Sequence, residues 1–345
     1  MKKVKAFLLR LLTKKKHIPF SMREIESIVI FRYDRIGDMI VSLPLIKELK
    51  TRIPQAKLTV ITSQSNDCIA KLSPFIDETI IKPQSFFSWL LILNRIRKRK
   101  NLLVVDLNHS VATHTLLATI FIRPSHATSP YKDGRWGVKG TELEIFDLMP
   151  PEHPQKYNRP ISMIYLDIAQ HITGHNTESP SYELPTTSTT NKTKPYVVIN
   201  VMGSRQSMRI ADADLIRVCK LIGRDFSAYQ IYVISLSTNY PELRSVLSGL
   251  KNVEILPPTD SIAPVLPLVE HSELVITPDT ALVHIASAYN KKLIAVYTND
   301  LALFKHWQPI NTNETYIIYS SQPKSLSGYS SDELYFAVLK ALSTT

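Results

Sequence analysis

Short runs of apolar, mostly β-branched residues alternate with segments of helical periodicity along almost the whole chain, and this alternation constrains the fold more than any other feature. It is typical of parallel sheets joined by crossover helices. The alternation occurs twice, in halves separated by a polar stretch rich in Pro, Ser and Thr at residues 178–194. The chain has 345 residues, whereas one domain usually has about 100 to 200. We therefore predict an α/β protein with two doubly wound lobes.

The domain boundaries follow from the same pattern. We assign residues 26–180 to an N-terminal lobe, 181–194 to a linker and 195–330 to a C-terminal lobe. Residues 331–345 are predicted to form a C-terminal helix that packs back on the N-terminal lobe. Residues 1–25 form an extension.

The predicted elements are short apolar strands and amphipathic helices. In the first half the predicted strands are Ser27–Arg32, Leu58–Thr62, Thr79–Lys82 and Leu102–Leu107. In the second half they are Tyr196–Val201, Gln230–Ser235, Val253–Leu256, Leu274–Thr277, Leu293–Tyr297 and Tyr316–Tyr319. Among the predicted helices are Met39–Lys50, Phe87–Arg99, Ile161–Ile172 and Asp332–Leu342, and the stretch Ser125–Tyr157 is predicted to be loops.

The formal net charge of +11 predicts an anionic partner, and much of it lies in residues 2–16 and 95–100. The second cluster is equally compatible with a solvated face. In the first, apolar residues fall on one helical side with Lys and Arg around them: Phe7, Leu8, Leu11 and Leu12. Either an amphipathic helix on anionic lipid or a disordered basic leader fits this extension, and both interpretations remain open.

Several classes of protein find no support. No apolar run approaches the 18 or more residues of a membrane span, and Lys5 and Arg10 interrupt the apolar N-terminus, which argues against a secretory signal. The two cysteines, Cys68 and Cys219, predict neither a disulfide framework nor a zinc site. We therefore expect a cytoplasmic protein. Motifs for a dinucleotide fingerprint, a P-loop, a metal site and a nucleophilic serine elbow are all absent.

The first candidate site lies directly after the first predicted strand, in the run from Arg32 to Asp38. In open α/β sheets, ligands bind at the carboxyl ends of the strands. Gly37 permits a tight turn, and Asp38 lies beside a helix N-terminus, which stabilises its anion. Asp38 can simply cap the helix or can face a cleft, and these interpretations do not exclude each other.

The second candidate site follows the strand that ends at Thr277. Asp279 and Thr280 precede a helix that begins near Ala281, and exposed amides at such a start favour a phosphate. Asp279 can instead accept hydrogen bonds from sugar hydroxyls. His284, about one turn further, either faces the ligand or is a buried histidine.

The third candidate site is the turn after the first strand of the second lobe, with Gly203, Ser204, Arg205 and Arg209. An arginine here can neutralise the charge of a phosphate leaving group. A solvated loop arginine explains the same residues equally well.

The first two sites together resemble glycosyltransferase family 9, the ADP-heptose:lipopolysaccharide heptosyltransferases. The opening pattern of that family is similar to Arg32-Tyr33-Asp34-Arg35-Ile36-Gly37-Asp38 followed by Leu43-Pro44. Its second signature is similar to Thr277-Pro278-Asp279-Thr280 followed by His284 to Ala288. The resemblance covers residues 26–345. It implies a GT-B fold, with two Rossmann-like lobes that face a central cleft.

What the resemblance implies for function is an inverting transferase that needs neither metal nor cofactor. The donor would be a nucleotide sugar, most simply ADP-heptose, and the acceptor a lipopolysaccharide or lipooligosaccharide core. Asp38 would be the general base. The donor-binding residues would be Gly203, Ser204, Arg205, Arg209, Asp279, Thr280, Ala281 and His284. The acceptor-binding residues would be Arg35, Gly37, Asn108 and His109.

Two departures from the family pattern put the acceptor in question. Relatives often carry a basic residue shortly after the aspartate that ends the fourth strand, where this chain has Asn108 and His109. The K-x-W pattern of the third site is also absent. Alternatives are a hexosyltransferase of the same fold, another glycan acceptor, and a two-lobed ligand-binding protein without catalysis. A nucleic-acid partner is not predicted, whereas a peripheral contact with the inner membrane is.

Overall fold

The structure, a computed structural model, describes residues 2–15, 17–135, 137–176, 179–186 and 194–343. The chain divides into two compact units, Met1–Ser181 and Tyr182–Thr345. Each unit has its own parallel sheet flanked by helices. No helix in these described ranges is long and apolar enough to cross a membrane.

Unit 1 contains a five-stranded parallel sheet with the order β3-β2-β1-β4-β5. Its strands are β1 Ser27–Phe31, β2 Lys57–Thr62, β3 Glu78–Ile81, β4 Leu102–Asp106 and β5 His126–Thr128. Its helices are α1 Lys2–Leu12, α2 Ile36–Ile40, α3 Leu43–Arg52, α4 Asp67–Leu72, α5 Phe86–Arg97, α6 Thr113–Ile122 and α7 Ile161–Thr173. Because β1 and β4 are buried on both faces, their sequences are apolar except for Ser27 at the start of β1 and Asp106 at the end of β4.

The order of strands reverses between β1 and β4, where the chain leaves one side of the sheet for the other. Phe31 at the end of β1 pairs with Ile61 on one side and with Asp106 on the other. The loops after β1 and β4 therefore begin next to each other, at the position where open α/β sheets bind ligands.

Unit 2 repeats this plan with six parallel strands in the order β11-β10-β9-β6-β7-β8. Its strands are β6 Tyr196–Asn200, β7 Gln230–Ile234, β8 Val253–Ile255, β9 Leu274–Pro278, β10 Lys292–Tyr297 and β11 Thr315–Tyr319. Its helices are α8 Asp212–Asp225, α9 Tyr240–Val246, α10 Val265–Glu270, α11 Ala281–Ala288, α12 Leu301–Trp307 and α13 Ser331–Ser343. The order reverses between β6 and β9, so their ends also lie together.

All ten predicted strands are present, and no predicted bound differs from the observed one by more than one residue. The predicted helix Met39–Lys50 is wrong, because α2 ends at Ile40 and α3 begins at Leu43. Pro44 near the start of α3 has no N–H to donate and prevents one continuous helix. The predicted loop region Ser125–Tyr157 contains β5, a three-residue strand that exists through its pairing with β4.

The C-terminal helix α13 packs on unit 2. We had expected it to pack back on the N-terminal lobe. It lies against β10, β11 and α8, and Nζ of Lys292 donates to the carbonyl of Ala341 at 2.9 Å. Its apolar side, including Leu334 and Val338, is buried in the core of that unit.

The linker predicted at 181–194 is only partly described, since residues 187–193 lie outside the described ranges. Within it, Tyr182 and Leu184 are buried in unit 2. The extension predicted at 1–25 contains a helix, α1, rather than a wholly disordered leader.

Candidate active site

The loop after β1 is built around Arg32, whose side chain is fully buried. Its Nη2 donates to the hydroxyl of Tyr165 on α7 at 2.8 Å. Its Nη1 lies 3.1 Å from Oδ2 of Asp34 and 3.3 Å from Oδ1 of Asp38. One buried cation therefore holds two carboxylates at the carboxyl end of β1.

Asp38 lies in the first turn of α2 and caps it. Its Oδ2 accepts a hydrogen bond from the backbone N–H of Arg35 at 3.2 Å, while 19% of its side chain remains exposed. Burial raises the pKa of Asp38 above its usual range; Arg32 opposes this rise and the charge of Asp34 adds to it. A carboxylate of raised pKa that is open on one side can accept a proton from a bound hydroxyl. The capping and catalytic interpretations are both compatible with this geometry.

Asn66, in the turn before α4, supports the same loop from inside. Its Nδ2 donates to the carbonyl of Arg32 at 3.0 Å and to that of Asp34 at 3.3 Å. Sequence reasoning missed Asn66 and Tyr165, which lie 34 and 133 positions from Arg32. Contacts at such separations leave no local pattern.

A buried ion pair closes the end of β4. Oδ2 of Asp106 lies 3.0 Å from Nζ of Lys132, and both side chains are excluded from solvent. Burial opposes ionisation of Asp106, but Lys132 and the hydrogen bonds of Asn108 hold its pKa below the usual range. The side-chain amide of Asn108 donates to Oδ1 of Asp106 at 2.6 Å, and the backbone carbonyl of Asn108 accepts from Nζ of Lys132. Asn108 therefore shapes this loop, and the basic residue next to Asp106 is Lys132, which lies far along the chain from it.

Three other residues predicted to contact the acceptor lie near these loops. The ring of His109 stacks on Tyr165 with the centroids 5.5 Å apart, which places it against the partner of Arg32. Arg35 is exposed and precedes α2. Gly37 accepts a hydrogen bond from the amide of Val41 at 3.0 Å.

In unit 2, a chain of hydroxyl and amide groups joins the ends of β6 and β9. Nδ2 of Asn200 donates to Oγ1 of Thr277 at 3.1 Å, and the hydroxyls of Thr277 and Thr280 are 3.0 Å apart. Oγ1 of Thr280 accepts from the amide of Leu282 at 3.2 Å and so caps α11. This network fixes the start of α11 at the carboxyl edge of the sheet.

Asp279 and Ala281 flank this cap. The amide of Asp279 donates to the carbonyl of Val296 at 3.1 Å, and its side chain is half-buried. Ala281 is the first residue of α11. Since the amides of Asp279 and Leu282 are already bonded, a phosphate at this helix start would meet the amides of Thr280 and Ala281.

His284 is buried rather than open to the edge of the sheet. Its ring makes a T-shaped contact with Tyr182 and a tilted contact with Trp307, each with centroids 5.9 Å apart. Burial lowers its pKa to about 4, so the ring is neutral at physiological pH. Within the described part of the chain, its Nδ1 has no hydrogen-bond partner. His284 thus matches the buried interpretation, although it lies one turn beyond Thr280.

The turn after β6 depends on its glycine. A Cβ on Gly203 would lie 2.5 Å from the carbonyl oxygen of Met208, and the Gly203 amide donates to that oxygen at 2.7 Å. The next two residues, Ser204 and Arg205, are exposed. Gly203 is therefore required for the close backbone approach that presents them.

The guanidinium of Arg209 forms ion pairs with two carboxylates. Its Nη1 lies 3.0 and 2.9 Å from the two carboxyl oxygens of Glu242, and its Nη2 is bonded to Asp212. Its charge is thus neutralised within the unit. Of the two arginines predicted for a diphosphate, only Arg205 is presented to solvent without such a pair among the described residues. The residues described include no group of three His, Cys, Asp or Glu side chains that could hold a metal ion.

Comparison with known proteins identifies the family. The family model for glycosyltransferase family 9 (heptosyltransferase) matches residues 159–333, which is just over half of the chain. The chain belongs to glycosyltransferase family 9. Membership of family 9 makes it a glycosyltransferase, as the paired motifs predicted.

Two kinds of relative accompany this match to family 9. A protein of Escherichia coli (strain K12), "Putative lipopolysaccharide heptosyltransferase 4", is 25% identical over 280 residues, which cover 79% of this chain and 74% of that protein. A family 9 glycosyltransferase of Veillonella parvula has a solved structure with a TM-score of 0.76, 14% identity, and coverage of 94% and 99% of the two chains. The structure of E. coli ADP-heptose lps heptosyltransferase II gives a TM-score of 0.73, 15% identity, and coverage of 93% and 99%. These structures confirm the predicted GT-B fold.

Proposed function

We propose that this protein transfers heptose from ADP-heptose to a lipopolysaccharide or lipooligosaccharide core, with inversion at the anomeric carbon and without a metal or cofactor. The observation that carries the proposal is Asp38 in a family 9 chain: a half-buried carboxylate of raised pKa at the carboxyl end of β1. The relative named ADP-heptose lps heptosyltransferase II supports the choice of donor. The action is proposed to be cytoplasmic, with peripheral contact at the inner membrane.

The proposed reaction is a single displacement. Asp38 takes the proton of an acceptor hydroxyl while that oxygen attacks the anomeric carbon of the donor. The bond from this carbon to the diphosphate breaks, and ADP leaves with its electron pair. Attack on the face opposite the leaving group inverts the configuration.

Unit 2 would hold the donor and stabilise the departing ADP. The amides of Thr280 and Ala281 at the start of α11 would bind the diphosphate, and the exposed Arg205 would supply a cation. Asp279 would accept hydrogen bonds from heptose hydroxyls. These groups provide the neutralisation that other transferases obtain from a metal ion.

The test is donor turnover by the full chain with a deacylated core acceptor. ADP-heptose is compared with UDP- and GDP-sugars, with and without EDTA, and the product's anomeric configuration is read by NMR. We expect ADP release from ADP-heptose that is insensitive to EDTA and gives an inverted product. Turnover only with another nucleotide sugar would replace the heptose assignment, while EDTA sensitivity or a retained configuration would overturn the corresponding part of the mechanism.

The matched variant is Asp38→Asn. Asparagine keeps an oxygen that caps α2 but cannot take the proton, so we expect kcat to fall by about 10²- to 10⁴-fold with folding preserved. Full activity in this variant would remove Asp38 as the base.

A further inference from the structure

The N-terminal helix α1 packs against the rest of unit 1 through the side that carries Ala6 and Leu9. Ala6 is buried in the core of unit 1, Leu9 packs partly against that core, and Thr13, directly after the helix, is fully buried. A salt bridge of 2.8 Å between Arg10 and Glu142 adds a second attachment.

As a consequence, four large apolar residues of α1 point outward. The exposed side chains are Phe7, Leu8, Leu11 and Leu12, and Phe7 is 64% exposed. An amphipathic helix on the surface of a globular protein normally buries this face. Here the opposite side is buried, and the apolar face is left without cover from the described part of the chain.

A second exposed apolar surface lies beside it on α5. Phe86, Phe87 and Leu91 are 67%, 79% and 72% exposed. Between α5 and α6 lies a groove of about 700 Å³ whose apolar lining includes Leu12 of α1 and Leu117 of α6. Because Leu12 belongs to both, the outward face of α1 and the groove form one continuous surface. Scattered exposed apolar residues are normal, but a continuous patch marks an interaction site.

The charged side chains that line the groove have one sign. Three cations line the groove, Lys82, Arg97 and Arg123, and none of its described lining residues is a carboxylate. The exposed Arg95 lies on the same helix as Arg97, and its Nη2 is 3.8 Å from Oε1 of Glu78, which does not line the groove. Apolar side chains that protrude among cations match a bilayer with anionic headgroups. A symmetric pair of copies would instead bring these cations against each other.

The inner end of the groove reaches the loop that carries Asp38. Three lining residues contact the ring of Tyr33: Nζ of Lys82 at 5.4 Å, Trp89 at 6.4 Å and His114 at 5.5 Å, measured to the ring centroid. Tyr33 lies between Arg32 and Asp34 in the sequence. A bilayer on this surface would therefore place lipid-linked molecules near the candidate base.

We propose that α1, α5 and α6 form a membrane-docking surface. Its exposed apolar side chains enter the interfacial region of an anionic phospholipid bilayer, and Lys82, Arg97 and Arg123 bind the lipid phosphates. This proposal assigns the membrane contact of the proposed function to a particular surface, and its biological purpose rests on that function. Bilayer binding requires neither donor nor acceptor, so each proposal can fail without the other.

The test is flotation of the full chain with vesicles. Vesicles of phosphatidylcholine alone are compared with equal parts of phosphatidylglycerol and phosphatidylcholine, at low and high NaCl. We expect binding to the anionic vesicles that weakens as salt rises. Brominated acyl chains should quench the fluorescence of Trp89, and the Trp89→Phe variant should lose that quenching.

Two sets of variants separate the apolar and ionic contributions. Phe86→Ser/Phe87→Ser/Leu91→Ser should reduce binding to anionic vesicles by about tenfold or more. Arg97→Gln/Arg123→Gln should weaken it by about fivefold per cation and reduce the preference for anionic lipid. The matched controls are Phe336→Ser, which removes a phenylalanine that is 59% exposed on α13, and Lys251→Gln; both should bind as the wild type does. Circular dichroism establishes that each variant is folded.

Three results would overturn the proposal. The first is a wild-type chain that does not float with anionic vesicles. The second is a folded triple variant that binds as well as the wild type, or a Phe336→Ser control that loses binding equally. The third is a wild-type dimer in solution that the triple variant dissociates while neither protein binds vesicles, since that would assign the surface to a second copy.

Discussion

Nη1 of Arg32 lies 3.3 Å from Oδ1 of Asp38, so a fully buried guanidinium sits directly behind the candidate base. The same nitrogen is 3.1 Å from Oδ2 of Asp34. Asp38 is thus placed between a cation that favours its ionised form and an anion that disfavours it, while burial favours the neutral form. The protonation state of the base is set by these three influences together.

Arg32→Met should move the acidic limb of the pH profile of kcat/KM to higher pH. Arg32 lowers the pKa of Asp38, so the base would become protonated at a higher pH once that charge is removed. Asp34→Asn should move the limb to lower pH, because the charge of Asp34 raises the same pKa. The measurement is kcat/KM against pH for the wild type and both variants. Shifts in the same direction for both would contradict this account.

Arg205 and Arg209 should respond differently to truncation. Arg205→Ala should weaken ADP binding about tenfold, because the exposed cation is available to a diphosphate. Arg209→Ala should change ADP affinity by less than about twofold and reduce the free energy of unfolding by about 1 kcal/mol, since this side chain binds Glu242 and Asp212. Isothermal titration calorimetry with ADP and chemical denaturation measure the two effects. The reverse pattern would restore Arg209 as the donor contact.

His284 should make the protein sensitive to acid. Its pKa is lowered to about 4 in the folded chain from 6.5, so the unfolded chain binds a proton that the folded chain does not as pH falls between these values. The free energy of unfolding should therefore fall by about 2 kcal/mol from this residue between about pH 7.5 and about pH 5. Denaturation at both pH values should show that His284→Phe lacks this part of the loss. His153→Gln, which changes an exposed histidine, should keep it; equal acid sensitivity in all three proteins would refute the prediction.

Lys132→Met should destabilise unit 1 strongly. It leaves the fully buried Asp106 without its cation, which typically costs about 3–5 kcal/mol. The double variant Lys132→Met/Asp106→Asn should lose less than the sum of the single variants, because both charges are removed. Arg52→Gln, which breaks the surface pair of Arg52 with Glu48, should cost less than about 0.5 kcal/mol. Chemical denaturation gives all four values, and a Lys132→Met cost as small as that of Arg52→Gln would contradict the role of the buried pair.

The sequence by itself determined the strands, the two-lobed α/β class and the two loops that carry the candidate chemistry. These features depend on neighbours along the chain: an apolar run such as Leu102–Asp106 reads as a buried strand, and Asp38 and Thr280 lie where a strand gives way to a helix. Hydrophobic periodicity and helix capping depend on residues close together in the chain, so they can be recognised from the sequence alone.

Only the tertiary structure decided which side chains are paired within the protein and which are available to a ligand. Tyr165 binds Arg32, Lys132 pairs with Asp106, and Glu242 neutralises Arg209. The outward orientation of Phe7 and its neighbours likewise depends on which side of α1 docks on unit 1, and the two sides are both plausible from periodicity alone. Burial and ion pairing are properties of residues brought together by the fold across long separations, and no spacing in the sequence encodes them.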